Sequence, residues 1–342
     1  MSTSRRSFLG RFGTGLTAPL ILGATNKSGS KKPIVGEGAH TYEVTHDWGA
    51  LPAGIQYGNT HGVCEDSHGH IYIHHTVYQT SEKSDTMVVF DHKGKFVKSW
   101  GAEFKGGAHG LHIRKEGSQE FLYLCDTKRA IVVKTTLSGE EVFTINYPKE
   151  AAPYANPIKY SPTNVAIAPN GDIYVADGYG SSYINQYDSA AKYIRTFGGP
   201  GKEPGQLSCP HGLIVDTRGR LPILMVADRS NKRLQRFSLD GHHLDFVEDV
   251  PAPCHFNIHK NGDVVMPDLF ARVTLFDRDN KVIVQLGDDS HSEYMKTRKM
   301  TRDHFQPGKF VCPHGACFDH SGNIYVVEWV EVGRVTQLRR VA

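Results

Sequence analysis

The sequence lacks a long hydrophobic run, a marked excess of charge of either sign, and abundant cysteine. Only 22% of its 342 residues are charged, and 39 Lys and Arg against 36 Asp and Glu leave a formal net charge of +3. So small a charge gives no reason to expect a nucleic-acid partner. No stretch is apolar for long enough to suggest a polytopic membrane protein, and the 39% hydrophobic content excludes a disordered chain. These absences leave a globular protein with a large core.

Acidic residues are also missing from the first 36 residues, which carry six basic ones. Arg5 and Arg6 precede Ser-Phe-Leu-Gly, and this twin-arginine pattern resembles a bacterial Tat export signal. The mildly apolar, glycine-rich stretch over residues 13–24 is too short to span a bilayer as a helix. We therefore expect residues 1–36 to be a Tat signal peptide and linker, and residues 37–342 to be the folded domain. A disordered basic tail is the alternative.

A Tat signal has consequences for the rest of the chain. It implies a bacterial protein that is periplasmic or secreted, that meets the Tat translocon during export, and that has no integral membrane span. Loss of the six positive charges with the signal changes the net charge from +3 to −3. Because Tat substrates fold before export, in a reducing compartment, the six cysteines need not form disulfides.

One pattern recurs six times along the chain: a His-Gly-like start, an apolar strand, a glycine-containing turn and a second strand, with further strands after it. Alternation of apolar and polar residues around such turns predicts β-strands. The repeat starts lie 44 to 59 residues apart, which is the size of a four-stranded propeller blade. The repeated segments are residues 61–75, 109–126, 164–177, 211–228, 255–268 and 314–329.

The two ends of the repeat region complement each other. The last repeat stops after its third strand, at residues 334–341, and residues 41–49 form a strand-like segment outside the repeats. Pairing these ends would remove open sheet edges. The sequence therefore predicts an all-β, six-bladed β-propeller, closed by an N-terminal strand that completes the last blade, and a monomer. An open solenoid is the alternative. The insertions at 76–86, 146–162 and 288–310 are solvated loops or a lid over one face.

Histidine is abundant, with 19 residues, and five of them share one repeat position. That position, the first of each repeat, holds His61, His109, Asn164, His211, His255 and His314. The first strand of a propeller blade lines the central channel, so these side chains converge at one mouth. Three imidazole nitrogens with one open coordination position are typical of catalytic zinc. Hydrogen-bonded channel histidines without a metal are the alternative.

The loops after the second strands return to the same face as the histidines. In the third and fourth repeats they carry Tyr179, within ADGYGSS, and Arg229, within ADRSNK. A tyrosine beside a metal is suited to proton transfer, and an arginine is suited to holding a carboxylate. We therefore predict catalytic roles for Tyr179 and Arg229. The alternatives are a packed aromatic side chain at the rim and a surface salt bridge.

Two further sets of residues recur beside this column. Four aspartates end second strands, where a carboxylate usually accepts backbone N–H groups, and we predict a structural role for them. They are Asp126, Asp177, Asp228 and Asp268. Three cysteines precede column histidines by one or two residues, either as small buried side chains or as soft ligands that favour copper or zinc. They are Cys209, Cys254 and Cys312.

Together these motifs resemble NHL-repeat six-bladed propellers over residues 40–342 and, among enzymes, the peptidyl-α-hydroxyglycine α-amidating lyases. The shared motifs are a His-Gly in the second blade, D-G-Y in the third, P-H and A-D-R in the fourth, and P-H in the last. They fall on His109, Tyr179, His211, Arg229 and His314. The resemblance implies that the three histidines bind zinc or another divalent transition metal, that the tyrosine transfers a proton, and that the arginine holds the substrate carboxylate. It also implies a peptide amide and glyoxylate as products.

Two positions depart from that family. The family's arginine at the end of the first blade's second strand is replaced by His74 and His75, and its acidic calcium ligand after the last zinc histidine is replaced by Gly315. We therefore do not expect the second substrate-binding arginine or the structural calcium. His61 and His255 are additional candidate ligands that have no counterpart in the family.

We therefore predict an exported, metal-dependent lyase that acts on a small-molecule or peptide substrate with a hydroxyl or carboxylate group, such as a peptidyl-α-hydroxyglycine. Its metal would lie at the channel mouth, on His109, His211 and His314. One alternative is a non-enzymatic NHL propeller that binds a peptide, glycan or protein partner. The other is a lactonase-like hydrolase, for which a carboxylate-rich calcium site would be expected in place of a histidine column.

Overall fold

Residues 32–341 are described by a computed structural model. Over this range the chain forms 25 β-strands, one short α-helix, α1 (Tyr294–Thr297), and four 3-10 turns, which confirms the predicted all-β class. Within the same range no helix has the length and apolar character needed to cross a membrane. Residues 1–31, which contain the predicted twin-arginine motif, lie outside the described residues.

Six blades follow one another along the chain. Two strands precede the first blade: β1 (Ile34–Glu37) and β2 (His40–His46). Blade one contains β3 (Thr60–Glu65), β4 (Ile71–His75), β5 (Met87–Phe90) and β6 (Phe96–Trp100). Blade two contains β7 (Ala108–Glu116), β8 (Gln119–Asp126), β9 (Ile131–Thr136) and β10 (Glu141–Ile145). Blade three contains β11 (Asn164–Ile167), β12 (Ile173–Ala176), β13 (Tyr183–Tyr187) and β14 (Tyr193–Gly198). Blade four contains β15 (Pro210–Asp216), β16 (Ile223–Asp228), β17 (Arg233–Ser238) and β18 (His243–Val247). Blade five contains β19 (Asn257–Ile258), β20 (Val264–Asp268), β21 (Arg272–Phe276) and β22 (Val282–Leu286), and blade six contains β23 (Pro313–Phe318), β24 (Ile324–Glu328) and β25 (Arg334–Arg340).

Each of blades one to five is an antiparallel sheet whose four strands lie side by side in chain order. Short turns connect strands that are neighbours in the sequence, so each blade is built from local contacts. The second strand of a blade is buried on both faces, as in β12, whose four residues are all buried. The outermost strands are partly exposed, as in β6 and β14. The predicted six-bladed propeller is confirmed.

Blade six combines strands from both ends of the described chain. Its strand order is β1-β2-β25-β24-β23. β2 is therefore hydrogen-bonded to β25, with Val44 opposite Leu338 in the register. This is the pairing that the sequence analysis expected for residues 41–49, and the structure places its start at His40.

β1 is a fifth strand of blade six that the sequence analysis did not predict. It pairs with β2 through a two-residue turn between Glu37 and His40, in which Gly38 has a φ of 51°. Residues 1–36 are predicted to be signal and linker because they contain the twin-arginine motif and carry six basic residues and no acidic one. Since β1 begins at Ile34, the folded domain includes residues on both sides of the predicted boundary at residue 36.

An apolar core fills the space between each pair of neighbouring blades. Between blades six and one, Val63 and Ile73 pack with Tyr325 and Val327. On the other side of blade six, Val44 and Leu338 of paired strands pack with residues of blade five. The four remaining pairs of neighbours enclose equivalent clusters. Every blade thus packs against a neighbour on both sides. The six clusters together fix the first strands, and with them the side chains at the axis.

The three predicted insertions lie outside the blades. Residues 288–310 contain α1 and a 3-10 turn at Arg302–His304, and residues 146–162 contain a 3-10 turn at Ala152–Tyr154. Residues 76–86 have no helix and no strand before Met87. The longest insertion packs partly against blade six, because Tyr294 and Phe305 join a small core there.

Replacing Val44 with alanine tests the contribution of β2 to the ring. Val44 is buried between blades five and six, so we expect Val44→Ala to lower the free energy of unfolding by about 2 kcal/mol. The control is Val282→Ala in β22, the outermost strand of blade five, where the side chain is 54% exposed and its loss should have little effect. Chemical denaturation measures both. Equal effects of the two substitutions would show that β2 does not pack as described.

Candidate metal centre

The six column residues lie at the starts of the first strands, on the face where the second strands end. The pairing of Pro210 with Asp228 and of Pro313 with Glu328 shows this arrangement in blades four and six. In four blades the ladder has a register shift at the histidine: at Thr60/Gly62, Ala108/Leu111, Pro210/Leu213 and Pro313/Gly315. A β-bulge turns a side chain away from the regular alternation. The repeated His-Gly dipeptide is the sequence signature of these bulges.

Three of the histidines are held by the same hydrogen bond to the next blade. His109 Nδ1 lies 2.7 Å from the carbonyl oxygen of Thr163, and His211 Nδ1 lies 3.0 Å from that of Cys254. His314 Nδ1 lies 2.9 Å from the carbonyl oxygen of His61. A carbonyl accepts, so each Nδ1 must carry the proton and each Nε2 must present a lone pair. This is the arrangement that orients histidines bound to metals.

The glycine after each of these histidines permits the hydrogen bond. A Cβ atom on Gly110 would lie 2.5 Å from the carbonyl oxygen of Thr163, and one on Gly212 would lie 2.1 Å from that of Cys254. At Gly315 the distance to the carbonyl oxygen of His61 would be 2.6 Å. These are the same carbonyl groups that accept the Nδ1 protons. Only glycine lets the two blades approach closely enough for the histidine to reach its acceptor.

The three imidazole rings lie next to one another, although no choice of one nitrogen from each ring brings all three within 4.8 Å of one another. Their centroids are 5.0 Å apart for His109 and His211, 4.9 Å for His109 and His314, and 4.7 Å for His211 and His314. Tyr179 Oη lies 3.1 Å from His109 Nε2 and 3.0 Å from His211 Nε2. One hydroxyl proton cannot satisfy two lone pairs, so the site has excess negative potential at its centre. A cation bound there would relieve it, and the residues therefore fit a metal ion.

Burial keeps these histidines neutral, which is the form that binds metals. It lowers the pKa of His109 to about 3, and it lowers the pKa values of His211 and His314 well below the usual value of 6.5, with neighbouring charged groups adding to the effect. All three residues are at most 4% exposed. A neutral imidazole with Nδ1 already donating is ready to bind through Nε2.

His61 lies beside this group but is held differently. Its ring centroid is 4.7 Å from that of His109 and 4.6 Å from that of His314. Its Nδ1 lies 3.4 Å from His314 Nε2 instead of a backbone carbonyl. His61, His109 and His314 each have one ring nitrogen that lies within 4.8 Å of those of the other two. His61 is therefore a candidate ligand by distance. Among residues 32–341 the other His- and Cys-containing group of this kind is His211, Cys254 and His314.

His255 is not part of either group. It is followed by Phe256, not glycine, and the short strand β19 begins only at Asn257. Its Nε2 is buried without a hydrogen-bond partner. The remaining column residue, Asn164, directs its side-chain oxygen to the N–H of Val165, at 2.7 Å, so it does not contribute to the histidine group. The sequence column thus divides into three equivalent histidines, one neighbour and two unrelated positions.

Tyr179 and Arg229 lie together at the mouth of the channel. The Arg229 guanidinium carbon is 5.4 Å from the centre of the Tyr179 ring, and its Nη2 donates to Cys209 Sγ at 3.1 Å. Burial raises the pKa of Tyr179 to about 12, so the phenol keeps its proton at neutral pH. Among the ion pairs of residues 32–341 there is none to Arg229. Its guanidinium therefore remains available to an anionic ligand.

The aspartate column is structural, as predicted. Asp177 accepts the backbone N–H groups of Ser161 and Ser181, at 2.7 and 2.6 Å, and Asp126 and Asp228 bind neighbouring loops in the same way. In blade one His75 takes this position, and its Nδ1 accepts the N–H of Val77 at 3.1 Å. The neighbouring His74 is fully buried, and neither ring nitrogen has a partner. No arginine enters the site from the end of β4.

Arg298 is a second buried guanidinium on this face, and the sequence analysis missed it. It comes from the 288–310 insertion and is 7% exposed. Its guanidinium stacks 3.5 Å from the ring centre of Trp329, and its Nη2 donates to Asn59 Oδ1 at 3.2 Å. Within residues 32–341 it pairs with no carboxylate at ion-pair distance. The signal in the sequence was the charged insertion itself, but which of its basic residues packs inward depends on tertiary contacts.

All six cysteines are free thiols, and five of them are buried. Cys209 is the one that is partly exposed. The thiol of Cys254 lies within 4.8 Å of a ring nitrogen of His211 and of His314. Of the predicted roles for this cysteine, a small buried side chain and a metal ligand, both are compatible with this position.

Comparison with known proteins gives relatives in two groups. The chain is 27% identical over 256 residues to peptidyl-glycine alpha-amidating monooxygenase of Mus musculus, covering 71% of this chain and 25% of that protein. It is 31% identical over 156 residues to peptidyl-alpha-hydroxyglycine alpha-amidating lyase 2 of Drosophila melanogaster, covering 44% and 36%. It is 26% identical over 213 residues to NHL repeat-containing protein 3 of Homo sapiens, covering 58% and 59%. The chain thus spans a quarter of the length of the mouse relative. No protein-family model matches it.

Solved structures share the fold. A streptogramin B lyase aligns with a TM-score of 0.59 at 12% identity, covering 89% of this chain and 99% of that one. A gluconolactonase from Xanthomonas campestris aligns with a TM-score of 0.61 at 12% identity, covering 90% and 95%. These structures show the fold alone. The predicted resemblance to NHL-repeat propellers and amidating lyases is confirmed by the sequence relatives, and the lyases among them support an enzymatic activity in general.

The substitution Gly212→Ala tests the contact that orients His211. The new Cβ would overlap the carbonyl of Cys254, a backbone atom that cannot move aside cheaply, so blades four and five must separate. We expect a loss of roughly 2 kcal/mol or more in the free energy of unfolding. The control is Gly219→Ala in the same blade, where the nearest atom would be 3.6 Å away. If chemical denaturation shows both variants equally stable, the close approach of the blades is wrong.

The buried histidines also predict a steep loss of stability in mild acid. Burial lowers the pKa values of His75 and His109 to about 3 and of His74 to about 4, whereas unfolded histidine titrates near 6.5. The unfolded chain therefore binds more protons below pH 6.5, and stability falls as the pH decreases. Each such histidine should cost about 2 kcal/mol at pH 5 relative to pH 7.5. Denaturation midpoints measured in the presence of a chelator at pH 7.5, 6 and 5 check this, and a flat profile would contradict the neutral, buried state of these rings.

Proposed function

We propose that this propeller, which resembles the amidating lyases, is an exported metal-dependent lyase whose ligands are His109, His211 and His314. The observation that supports it most strongly is the repeated hydrogen bond from Nδ1 of each histidine to the next blade. It leaves an unprotonated Nε2 on each of three adjoining rings, which is the form of imidazole that binds a metal. Zinc or another divalent transition metal suits three imidazole ligands. When bound, such a metal would supply Lewis acidity to a substrate hydroxyl or carbonyl oxygen.

Tyr179 is placed to move a proton in this reaction. Its Oη already contacts the Nε2 atoms of two candidate ligands, so a substrate at the centre of the site would lie within its reach. For a peptidyl-α-hydroxyglycine, the hydroxyl proton leaves oxygen as the C–N bond breaks, and the departing amide nitrogen gains a proton. Tyr179, whose phenol is protonated at neutral pH, would give its own proton to the departing nitrogen and take up the hydroxyl proton in its place. The products are a peptide amide and glyoxylate.

Arg229 is placed to bind the substrate carboxylate. Its guanidinium lies over the Tyr179 ring and is free of protein carboxylates in the described range. A carboxylate held there would orient the hydroxylated carbon next to it toward Tyr179. The second unpaired guanidinium on the same face, that of Arg298, adds positive potential that favours an anionic substrate. We place this enzyme in the periplasm or outside the cell, delivered by the Tat translocon, and expect it to act as a monomer.

Metal analysis and product assays of the signal-free protein test this proposal together. We expect about one transition metal ion per chain and glyoxylate release from an α-hydroxyglycine peptide. His211→Ala should lose both the metal and the activity, whereas His291→Ala, at an exposed position, should keep both. Tyr179→Phe should keep the metal and lower kcat by about 100-fold or more, and Tyr193→Phe at the edge of blade three should not.

The outcomes separate the parts of the proposal. Wild-type protein that binds no metal after mild purification would overturn the metal centre. Bound metal without glyoxylate release would overturn the substrate and leave the centre standing. Arg229→Gln should raise KM for the α-hydroxyglycine peptide more than it lowers kcat, because the residue binds a part of the substrate that does not react. An unchanged KM would remove Arg229 from the substrate site.

A further inference from the structure

A buried thiol lies beside two of the candidate ligands. Sγ of Cys254 and one ring nitrogen each of His211 and His314 are all within 4.8 Å of one another. Cys254 is 0% exposed, and both histidines are buried as well. Among residues 32–341 the His, Cys, Asp and Glu side chains form one other group of this kind, that of His61, His109 and His314. Cys254 is therefore the one sulfur that the fold brings to the histidine group.

The position of this thiol is tied to that of His211. The backbone N–H of Cys254 donates to the carbonyl of Pro267 at 3.1 Å, which anchors it to β20. Its own carbonyl accepts the Nδ1 proton of His211, and Gly212 packs against the same carbonyl. One peptide unit thus orients His211 and carries the Cys254 side chain. The backbone of Cys254 cannot move away from His211 without breaking the contact between blades four and five.

Within the protein, the Cys254 thiol has weak partners only. Its contact with the carbonyl oxygen of Ala252 is 3.6 Å long, and it forms no disulfide. The guanidinium of Arg229 is also next to it. The other two cysteines of this column differ, since neither Cys209 nor Cys312 falls in a group with two histidines.

We propose that Cys254 is an additional ligand of the metal centre, so that the donor set is mixed imidazole and thiolate. This inference rests on the proposed function, because it assumes the metal that His211 and His314 bind. On binding, the S–H bond breaks, a sulfur–metal bond forms, and the proton goes to solvent. A thiolate in the set selects thiophilic metals such as zinc, cadmium and copper over hard cations such as manganese and magnesium. A fourth protein ligand leaves the substrate a fifth position, which zinc accepts.

Cobalt spectroscopy tests the sulfur ligand directly. The signal-free protein is depleted of metal, kept reduced and titrated with Co²⁺. We expect visible bands of bound cobalt together with a sulfur-to-cobalt charge-transfer band in the near ultraviolet. Cys254→Ser should lose the charge-transfer band and keep the visible bands, because the histidines remain. Cys209→Ser, the matched control two residues before His211, should keep both.

Metal competition gives a second, independent measurement. Cys254→Ser, and Cys254→Ala if the serine variant does not fold, should weaken cadmium binding by about tenfold or more and manganese binding much less. Cobalt bound by the wild type without a charge-transfer band would overturn the thiolate ligand alone and leave the lyase proposal intact. A charge-transfer band that persists in both Cys254 variants would also overturn it. Absence of cobalt binding by the wild type would overturn the metal centre, and the thiolate ligand with it.

Discussion

The close contact between the backbones of neighbouring blades at the axis is the constraint on which the site depends. Six first strands meet around one channel, and three of them touch the next blade through a glycine packed on a carbonyl group. The residue before that glycine is a histidine, and its Nδ1 proton goes to the same carbonyl. In each His-Gly dipeptide the glycine therefore permits the close approach of the blades, and the histidine makes the hydrogen bond that this approach allows. Because His109, His211 and His314 lie in alternate blades, the arrangement repeats around the axis and leaves an unprotonated Nε2 on each of three adjoining rings.

This arrangement leaves the centre of the site short of protons. Three carbonyl groups use the Nδ1 protons, so the Nε2 lone pairs depend on the single proton of Tyr179 and on His61. Buried acceptors without donors destabilise a protein by about 1–3 kcal/mol each. The six apolar cores between blades offset that cost, and they hold the rings where they are. A site of this kind is stabilised when a cation binds to it, which is the usual thermodynamic relation between a binding site and its fold.

The sequence predicted the fold well because a propeller blade is a local structure. Each strand pairs with its neighbour in the chain, so alternation and glycine turns were enough to locate the blades. The histidine column and the position of Tyr179 followed from the same repeat. What distinguished His109 from His255 was not in the column itself but in the next residue, glycine in one case and phenylalanine in the other. β1 and Arg298 were missed because their places depend on contacts between segments far apart in the sequence.

The free cysteines bear on the export route that we propose. Six thiols in a chain that crossed the membrane unfolded would meet an oxidising compartment while still exposed, and they would have many ways to pair. In the folded propeller five of the six are buried, which shields them from other thiols and disulfides, and their burial raises the pKa values of Cys125, Cys254 and Cys312. A chain that folds first can therefore carry reduced thiols into an oxidising space. A twin-arginine signal and a thiol within reach of a metal site are thus physically compatible, because folding before export protects the sulfur that the site would need.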